Sequence, residues 1–493
     1  MRRNCALITL ALALSSLVCA SSALSTSARP ATPTTSINQD SLQSIEFPRT
    51  WVPLASTLEL DPDRPTPLSF LGQNYVAYRD NNDMWVVLDD ACSHRLAPLS
   101  EGRVDRALNR LECSYHGWSF NSTGNLQRLP QATQEVEDAA KNSPKSCVKT
   151  YPSSTEKNIL WFWPWSEDCF SAVGDILALP EGMLDGVQSD PVTTTRDLPY
   201  SWDVLVENLI DPSHVPFAHH GMQGKREDAI PINMTNPVPI AKGKDERGFQ
   251  FEWGDRTMGK KRKGTGAFRA PYVVYYDAMF YEEADPKNFK LTAVCIPTKP
   301  GWSRAIIIPG GGSEEKEKDH EEAVSEKKKK KPLASKIFSS LPVWLIHIFS
   351  NRFLDTDLAF LHFQERELER REKVGKGYFM PAPADRCISA LRRWLPRHTS
   401  TLNVVKPLPP AMPKSVLFDR YAQHTEHCRH CQAALKGIQK WRKRTYGLLT
   451  LSILSIKLAL ARLSALGCLA ALLVFQKIEQ AMKQGGFKHY ENH

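Results

Sequence analysis

The chain has 493 residues, enough for two or three domains, and carries 63 Lys+Arg against 54 Asp+Glu for a net charge of +9. The excess base sits in linkers and the tail, with no aromatic-interleaved basic stripe, which argues against a nucleic-acid partner. Eleven cysteines in such a length exclude a disulfide-built scaffold, and Cys147, Cys169, Cys295 and Cys387 read as small buried residues.

Residues 1–45 read as an address. Arg2 and Arg3 precede an apolar run from Ala6 to Val18 that ends in Cys19-Ala20-Ser21, as in a secretory signal. Ser21–Gln39 is rich in Ser, Thr and Pro and contains Arg29, with no acid, as in a transit peptide. Signal followed by transit suits a plastid reached through the secretory system.

Residues 46–165 read as a small β domain. Leu68–Phe70, Tyr75–Tyr78 and Trp85–Leu88 are short β-type runs separated by turn residues, and the Trp-rich Leu160–Trp165 closes the domain. Inside it lies Cys92-Ser93-His94, answered by Cys113-Ser114-Tyr115-His116-Gly117-Trp118. Two thiolates and two imidazoles in C-x-H and C-x-x-H order suit one [2Fe–2S] cluster, with Cys92 and Cys113 on one iron and His94 and His116 on the other, the Rieske arrangement. A structural zinc is the rival reading, but zinc spacing usually separates the Cys pair from the His pair. Neither ligand loop holds a spare cysteine for the disulfide of the cytochrome-complex type. Oxygen chemistry is therefore expected over respiratory electron transfer.

Residues 190–400 are the expected catalytic domain. Glu207–His220 contains N-x-x-D-x-x-H-x-x-x-x-H, with Asn208, Asp211 and His214 spaced for roughly one helix face. His219 lies about 140° further around a regular helix and can join His214 at one metal only if the helix bends or ends, for which Pro216 supplies a reason. His220 is a rival for that place. Two imidazoles and a carboxylate with open positions make the facial triad of non-haem Fe(II) oxygenases. The carboxylate is sought in Phe353–Arg366, whose apolar residues recur with helical period. Asp357 falls between Leu354 and Leu361 on the apolar stripe and Asp355 on its flank. A buried carboxylate needs a partner, so Asp357 is chosen over Asp355. The insertion 311–332 opens with glycines and ends in five lysines, and reads as a solvated, disordered segment.

Residues 401–446 form a linker holding Cys428-Arg429-His430-Cys431, with His424 and His427 nearby. A redox dithiol, a metal site and chance spacing all fit this pattern. Residues 447–476 are almost wholly apolar, interrupted by Lys457 and Arg462, and read as a membrane anchor, spanning or hairpin. Basic residues from Lys436 to Arg444 would face an anionic leaflet.

Four blocks carry a family resemblance: CSHRLAPLSEGRVD (92–105), LECSYHGWSF (111–120), ENLIDPSHVPFAHHG (207–221) and DLAFLHFQE (357–365). Over about residues 46 to 480 the chain resembles the pheophorbide a oxygenase-type plastid Rieske oxygenases, a group that includes chlorophyllide a oxygenase and inner-envelope relatives. The resemblance implies an α+β fold: a small β Rieske [2Fe–2S] domain, a helix-grip catalytic domain and a C-terminal membrane anchor. It implies a [2Fe–2S] cluster, a mononuclear Fe(II), reduced ferredoxin, O₂ and a tetrapyrrole substrate, in a plastid inner envelope or thylakoid membrane. The family's spacing favours His219 over His220 beside His214 at the iron, with Asp357 as the chosen carboxylate. Asp211 then bridges to a Rieske histidine of the next subunit in a homotrimer, and Asn208, one turn before it, either steers the iron site or merely caps a turn. The same resemblance makes Cys428 and Cys431 a dithiol open to thioredoxin. A redox-sensing or electron-transfer subunit, and an oxygenase of a non-pigment substrate such as a sterol, are the competing expectations.

Overall fold

The computed structural model describes residues 47–165, 183–185, 187, 192–241, 247–281, 288–310, 341–372, 374, 377–399, 407–455 and 459–487. Residues 1–45, read above as an address, and the charged insertion lie outside them, as do Cys169 and Lys457. The described chain divides into two units, Ala434–Gln480 and the remainder.

In the larger unit, the N-terminal β domain is built on alternation. In the strand Gln73–Arg79, Tyr75 and Ala77 enter one apolar cluster while Val76 and Tyr78 enter another, because successive side chains leave a strand on opposite faces. This strand pairs with Thr66–Phe70 and Trp85–Asp89, and Trp85–Asp89 pairs with Thr150–Tyr151. A second small sheet runs Arg103–Asp105, Arg110–Glu112, Ser119–Phe120, Leu126–Arg128. The core between them gathers Val76, Tyr78, Leu88, Leu99, Leu111 and Phe120, and includes both Cys92 and Cys113. The Trp-rich closing segment forms the strand Ile159–Phe162, paired on both sides, and ends in Trp165, whose indole N–H donates to Thr50 O at 2.9 Å.

The domain that follows is built on one antiparallel sheet. Its order is Thr194–Leu198, Ser303–Gly310, Asn288–Pro297, Val273–Phe280, Lys260–Arg269, Gly248–Thr257 and Asn233–Met234, with Val238–Pro239 also on Gly248–Thr257. Burying Phe249, Phe251, Phe268, Tyr276, Val294 and Ile306 makes its inner face the main core. Helix α1 (Trp202–Leu209) follows the first strand, and helix α2 (Val343–Glu372) is the 30-residue helix held by the sheet. Helix α3 (Arg386–His398) packs Trp394 edge-on against Phe268, with ring centroids 5.3 Å apart.

The sequence pattern over 207–220 suggested one helix face through His214, but the backbone does otherwise. Helix α1 stops at Leu209, and Asp211 opens a separate single turn, Pro212–His214, followed by another, Val215–Ala218. Asp211 accepts the Ser213 N–H at 2.8 Å, the local bond by which Asp initiates turns and competes with helix. Pro212 suits the first position of that turn. The break therefore falls before Pro216, not at it.

The smaller unit contains parts of helices α4 (Arg429–Leu454) and α5 (Ala459–Lys483). Within it they run antiparallel: Gln439 donates to Glu479 at 3.2 Å, Arg442 pairs with Glu479, and Ser452 donates to Ser464 at 2.9 Å. Among the described residues only α5 is long and apolar enough to cross a membrane, with a mean hydropathy of 1.8 over its best window. Leu460, Leu463, Leu466, Leu469 and Leu473 on it are exposed.

Candidate metal centres

The two ligand loops of the β domain repeat one another. Cys92 N–H donates to Ala97 O and Leu96 N–H to Cys92 O, each at 2.8 Å. In the second loop Cys113 N–H donates to Trp118 O at 2.8 Å and Gly117 N–H to Cys113 O at 2.9 Å. The fourth residue after each cysteine is left-handed: Leu96 at φ 58° and Gly117 at φ 73°. Gly117 suits that conformation; Leu96 adopts it at a cost, its side chain left in solvent. Both cysteines are buried and both histidines half-buried, so any cluster here has a sulfur-ligated end inside and a nitrogen-ligated end at the surface.

The histidine rings lie 4.6 Å apart, and His94 stacks on Trp118 at 4.6 Å with planes 2° apart. His94 Nδ1 is buried without a hydrogen-bond partner, a cost that a metal bond removes. Burial pushes the Cys92 thiol up to about 11, so a thiolate there calls for a cation. The residues present fit a [2Fe–2S] cluster.

The second centre joins the turn after α1 to the middle of α2. His214 Nε2 and His219 Nε2 lie 3.2 Å apart, and His219 Nε2 lies 3.4 Å from Asp357 Oδ2. All three candidate ligand atoms fall within 4.8 Å of one another. The far nitrogens are both committed. His214 Nδ1 donates to Asp211 O at 2.6 Å and His219 Nδ1 to Thr356 Oγ1 at 2.6 Å, while Thr356 donates to Phe353 O at 2.7 Å. With Nδ1 protonated in both rings, the two Nε2 lone pairs face each other, which is stable only with a cation between them. Phe353 stacks on His219 at 3.9 Å and covers its face. Burial pushes the Asp357 carboxyl up to about 6, opposed by His214 and reinforced by Asp211, so that metal charge would be needed to keep it fully ionised at neutral pH. Two imidazoles and one carboxylate, with His214 partly open, fit an iron(II) centre that keeps free positions.

His220 stands apart from this trio: its Nδ1 accepts the Arg226 N–H at 3.1 Å. Asp355 is also not among them, but for a reason opposite to the one read from the sequence. It is completely buried, no less so than Asp357, and bridges Arg196 at 2.8 Å and Arg420 at 2.6 Å. Burial did not separate the two acids; their partners do. Asp211 is half-buried, with Oδ2 3.9 Å from His214 Nδ1, and Asn208 O accepts the Asp211 N–H at 3.2 Å.

Cys428 and Cys431 are buried beside His424, and beside His347 from α2, which the sequence reading did not single out. His427 and His430 are not in that group; His430 Nε2 lies 3.0 Å from Leu58 O. Thr356 was also missed, although its place next to Asp357 on a buried stripe was a usable signal. No local signal marked His347.

The sequence matches the family described as Rieske [2Fe-2S] domain over residues 50–152 and that described as Pheophorbide a oxygenase over 268–374. It is 32% identical over 462 residues to a pheophorbide a oxygenase of Arabidopsis thaliana, covering 85% of this chain and 80% of that one. It is 31% identical over 449 residues to flavonoid 8-hydroxylase 2 of Ocimum basilicum, covering 84% and 78%. Both are named as chloroplastic. Among solved structures, dicamba monooxygenase bound to dicamba shares the fold at a TM-score of 0.52 with 16% identity, covering 71% of this chain and 96% of that one.

Proposed function

This chain belongs to the pheophorbide a oxygenase family of plastid Rieske oxygenases, with a [2Fe–2S] cluster and a mononuclear iron, and from that premise we propose that it oxygenates a chlorophyll-derived tetrapyrrole of the pheophorbide a or chlorophyllide type. The observation that carries the oxygenase reading is the meeting of His214, His219 and Asp357 at one point. A pure electron carrier has no use for a second centre with open positions.

In this reading Cys92, Cys113, His94 and His116 hold the cluster, and His214, His219 and Asp357 hold the iron. When bound, the cluster relays single electrons and the ferrous iron activates dioxygen. The protein's own part is orientation. The Asp211 carbonyl and the Thr356 hydroxyl lock both imidazoles as Nδ1–H tautomers, keeping Nε2 aimed at the ion. Phe353 stacks on His219 and shields one face of its ring, while His214 stays partly open.

Asp211 is the bridge to His94 or His116 of a neighbouring copy in a homotrimer, with Asn208 setting its turn. Its support is position: a half-buried carboxylate with Oδ2 3.9 Å from the Nδ1 of a candidate iron-ligating ring. Reduced ferredoxin is the electron donor. The exposed leucines of α5, with Leu448, Leu451 and Leu454 of α4, anchor the enzyme at a plastid membrane, envelope or thylakoid, where an apolar pigment also partitions.

The test is to supply purified holoenzyme with reduced ferredoxin, O₂ and a panel of pheophorbide, chlorophyllide, protochlorophyllide and a flavone. Pigment oxidation with isotopic oxygen from O₂ in the product is expected. Oxygen consumed with no pigment changed overturns the tetrapyrrole reading. The similarity to a flavonoid hydroxylase favours a second reading, hydroxylation of a non-pigment substrate, and turnover of the flavone alone would select it.

A further inference from the structure

Outside the two iron centres, four metal-ligating side chains meet in the interior: His347 on α2, His424 in the wide turn Tyr421–Thr425, Cys428, and Cys431 in the first turn of α4. All four are buried. His424 Nε2 lies 3.1 Å from His347 Nδ1 and 3.3 Å from Cys431 Sγ, and both thiols lie 3.4 Å from His347 Nδ1. We propose that His347, His424, Cys428 and Cys431 form a structural zinc site, closed to substrate and separate from the oxygenase irons.

Three observations carry this. The first is tautomer. His347 Nε2 donates to Thr193 O at 2.9 Å and His424 Nδ1 to Thr195 O at 2.5 Å, carbonyls two residues apart at the start of the strand Thr194–Leu198. A carbonyl only accepts, so each far nitrogen carries a proton, and in the neutral ring each near nitrogen presents a lone pair. Two lone pairs 3.1 Å apart need a cation between them or donors beside them. Thiol protons can serve as donors, but a Cys428–Cys431 disulfide cannot, so the oxidised form of the motif leaves both nitrogens of neutral rings buried and unpaired.

The second is size. Zinc bonds of about 2.3 Å to sulfur and 2.0–2.1 Å to nitrogen make a tetrahedron with edges of about 3.3 Å between nitrogens and 3.6 Å between nitrogen and sulfur. The 3.1 Å and 3.3–3.4 Å separations lie within a few tenths of an ångström of those edges. All four ligand atoms lie within 4.8 Å of one another, a distance to which the four Rieske ligands are not gathered. One ion fits here and a dinuclear cluster does not.

The third is charge. Two thiolates balance Zn²⁺ and the imidazoles stay neutral, so the buried site has no net charge, whereas an imidazolium in the same place would be a buried cation. Four protein ligands leave no open position, the mark of a structural zinc. Burial of both sulfurs also bars the approach that thiol–disulfide exchange with thioredoxin requires.

The test is metal analysis and zinc-edge X-ray absorption on the full chain with its iron centres loaded. One zinc per chain, bound by two sulfurs and two nitrogens, is expected. The Cys428→Ser/Cys431→Ser variant should lose that zinc and keep the Rieske EPR signal, and His214→Ala should keep the zinc and lose mononuclear iron. The wild-type spectrum stands by itself if the cysteine variant does not fold. Absence of zinc, a Cys428–Cys431 disulfide found by mass spectrometry, or zinc lost with His214→Ala overturns the proposal.

Discussion

The Rieske loops and the iron pocket of the catalytic domain both present histidine nitrogens, yet they are assembled on different scales. Each ligand loop closes on itself through two short backbone bonds, and the two loops are 21 residues apart in the chain. The candidate iron pocket draws His214 and His219 from a broken stretch after α1 and Asp357 from the middle of α2, 138 positions beyond His219. The first site should tolerate disturbance elsewhere in the protein, whereas the second should depend on α2 holding its place. Substitutions should therefore separate the two centres.

The largest effect is expected from His219→Ala, with turnover lost by more than about 10³-fold as the iron leaves while the cluster's EPR signal persists. Loss of both signals together would break the separation. Asp355→Asn leaves Arg196 and Arg420 poorly compensated in the interior. It should cost about 3–5 kcal/mol in denaturant unfolding, a loss that falls on the catalytic domain.

Glu365 tests the same helix by pH. Burial pushes its carboxyl up to about 7, while it accepts the Ser201 N–H at 3.1 Å just ahead of α1. A raised carboxyl pKa favours folding fully below the unfolded value of about 4.5, and that contribution is lost as pH rises through about 7. Glu365→Gln should flatten the fall in stability across this window, by up to about 3 kcal/mol, in thermal unfolding followed from pH 5 to 8.

Thr356→Val removes the acceptor of the His219 Nδ1–H without touching the metal. It should lower iron affinity or activity about 10–100-fold, read by iron titration. Gly117→Ala, at φ 73° with Pro130 Cγ 3.0 Å from the added carbon, should cost about 1–2 kcal/mol, seen as faster cluster loss on warming with the iron pocket intact.

Much of the molecule was legible before the fold was seen, because its signals are local. The strand runs of the β domain, the C-x-H and C-x-x-H loops and the helix around Asp357 follow from alternation, ligand order and helical period. What failed were inferences that needed partners. Spacing placed Asn208, Asp211 and His214 on one helix, but Asp211 preferred to cap its own turn. Position on the stripe put Asp355 at the flank, but Arg196 from the first strand and Arg420 from beyond α3 draw it inside. His347 carries no mark in its neighbourhood, since its role depends on Cys428 and Cys431 some 80 residues later.

Residue order alone pointed to the chemistry of the Rieske loops and of the His214 and His219 pair, because ligand identity and short spacing are properties of a segment. Which acid meets the imidazoles, which nitrogen carries a proton and which thiols find a histidine depend on carbonyls, hydroxyls and guanidinium groups brought in from distant strands and helices. Those choices belong to packing, where hydrogen bonds and buried charge are satisfied together or not at all.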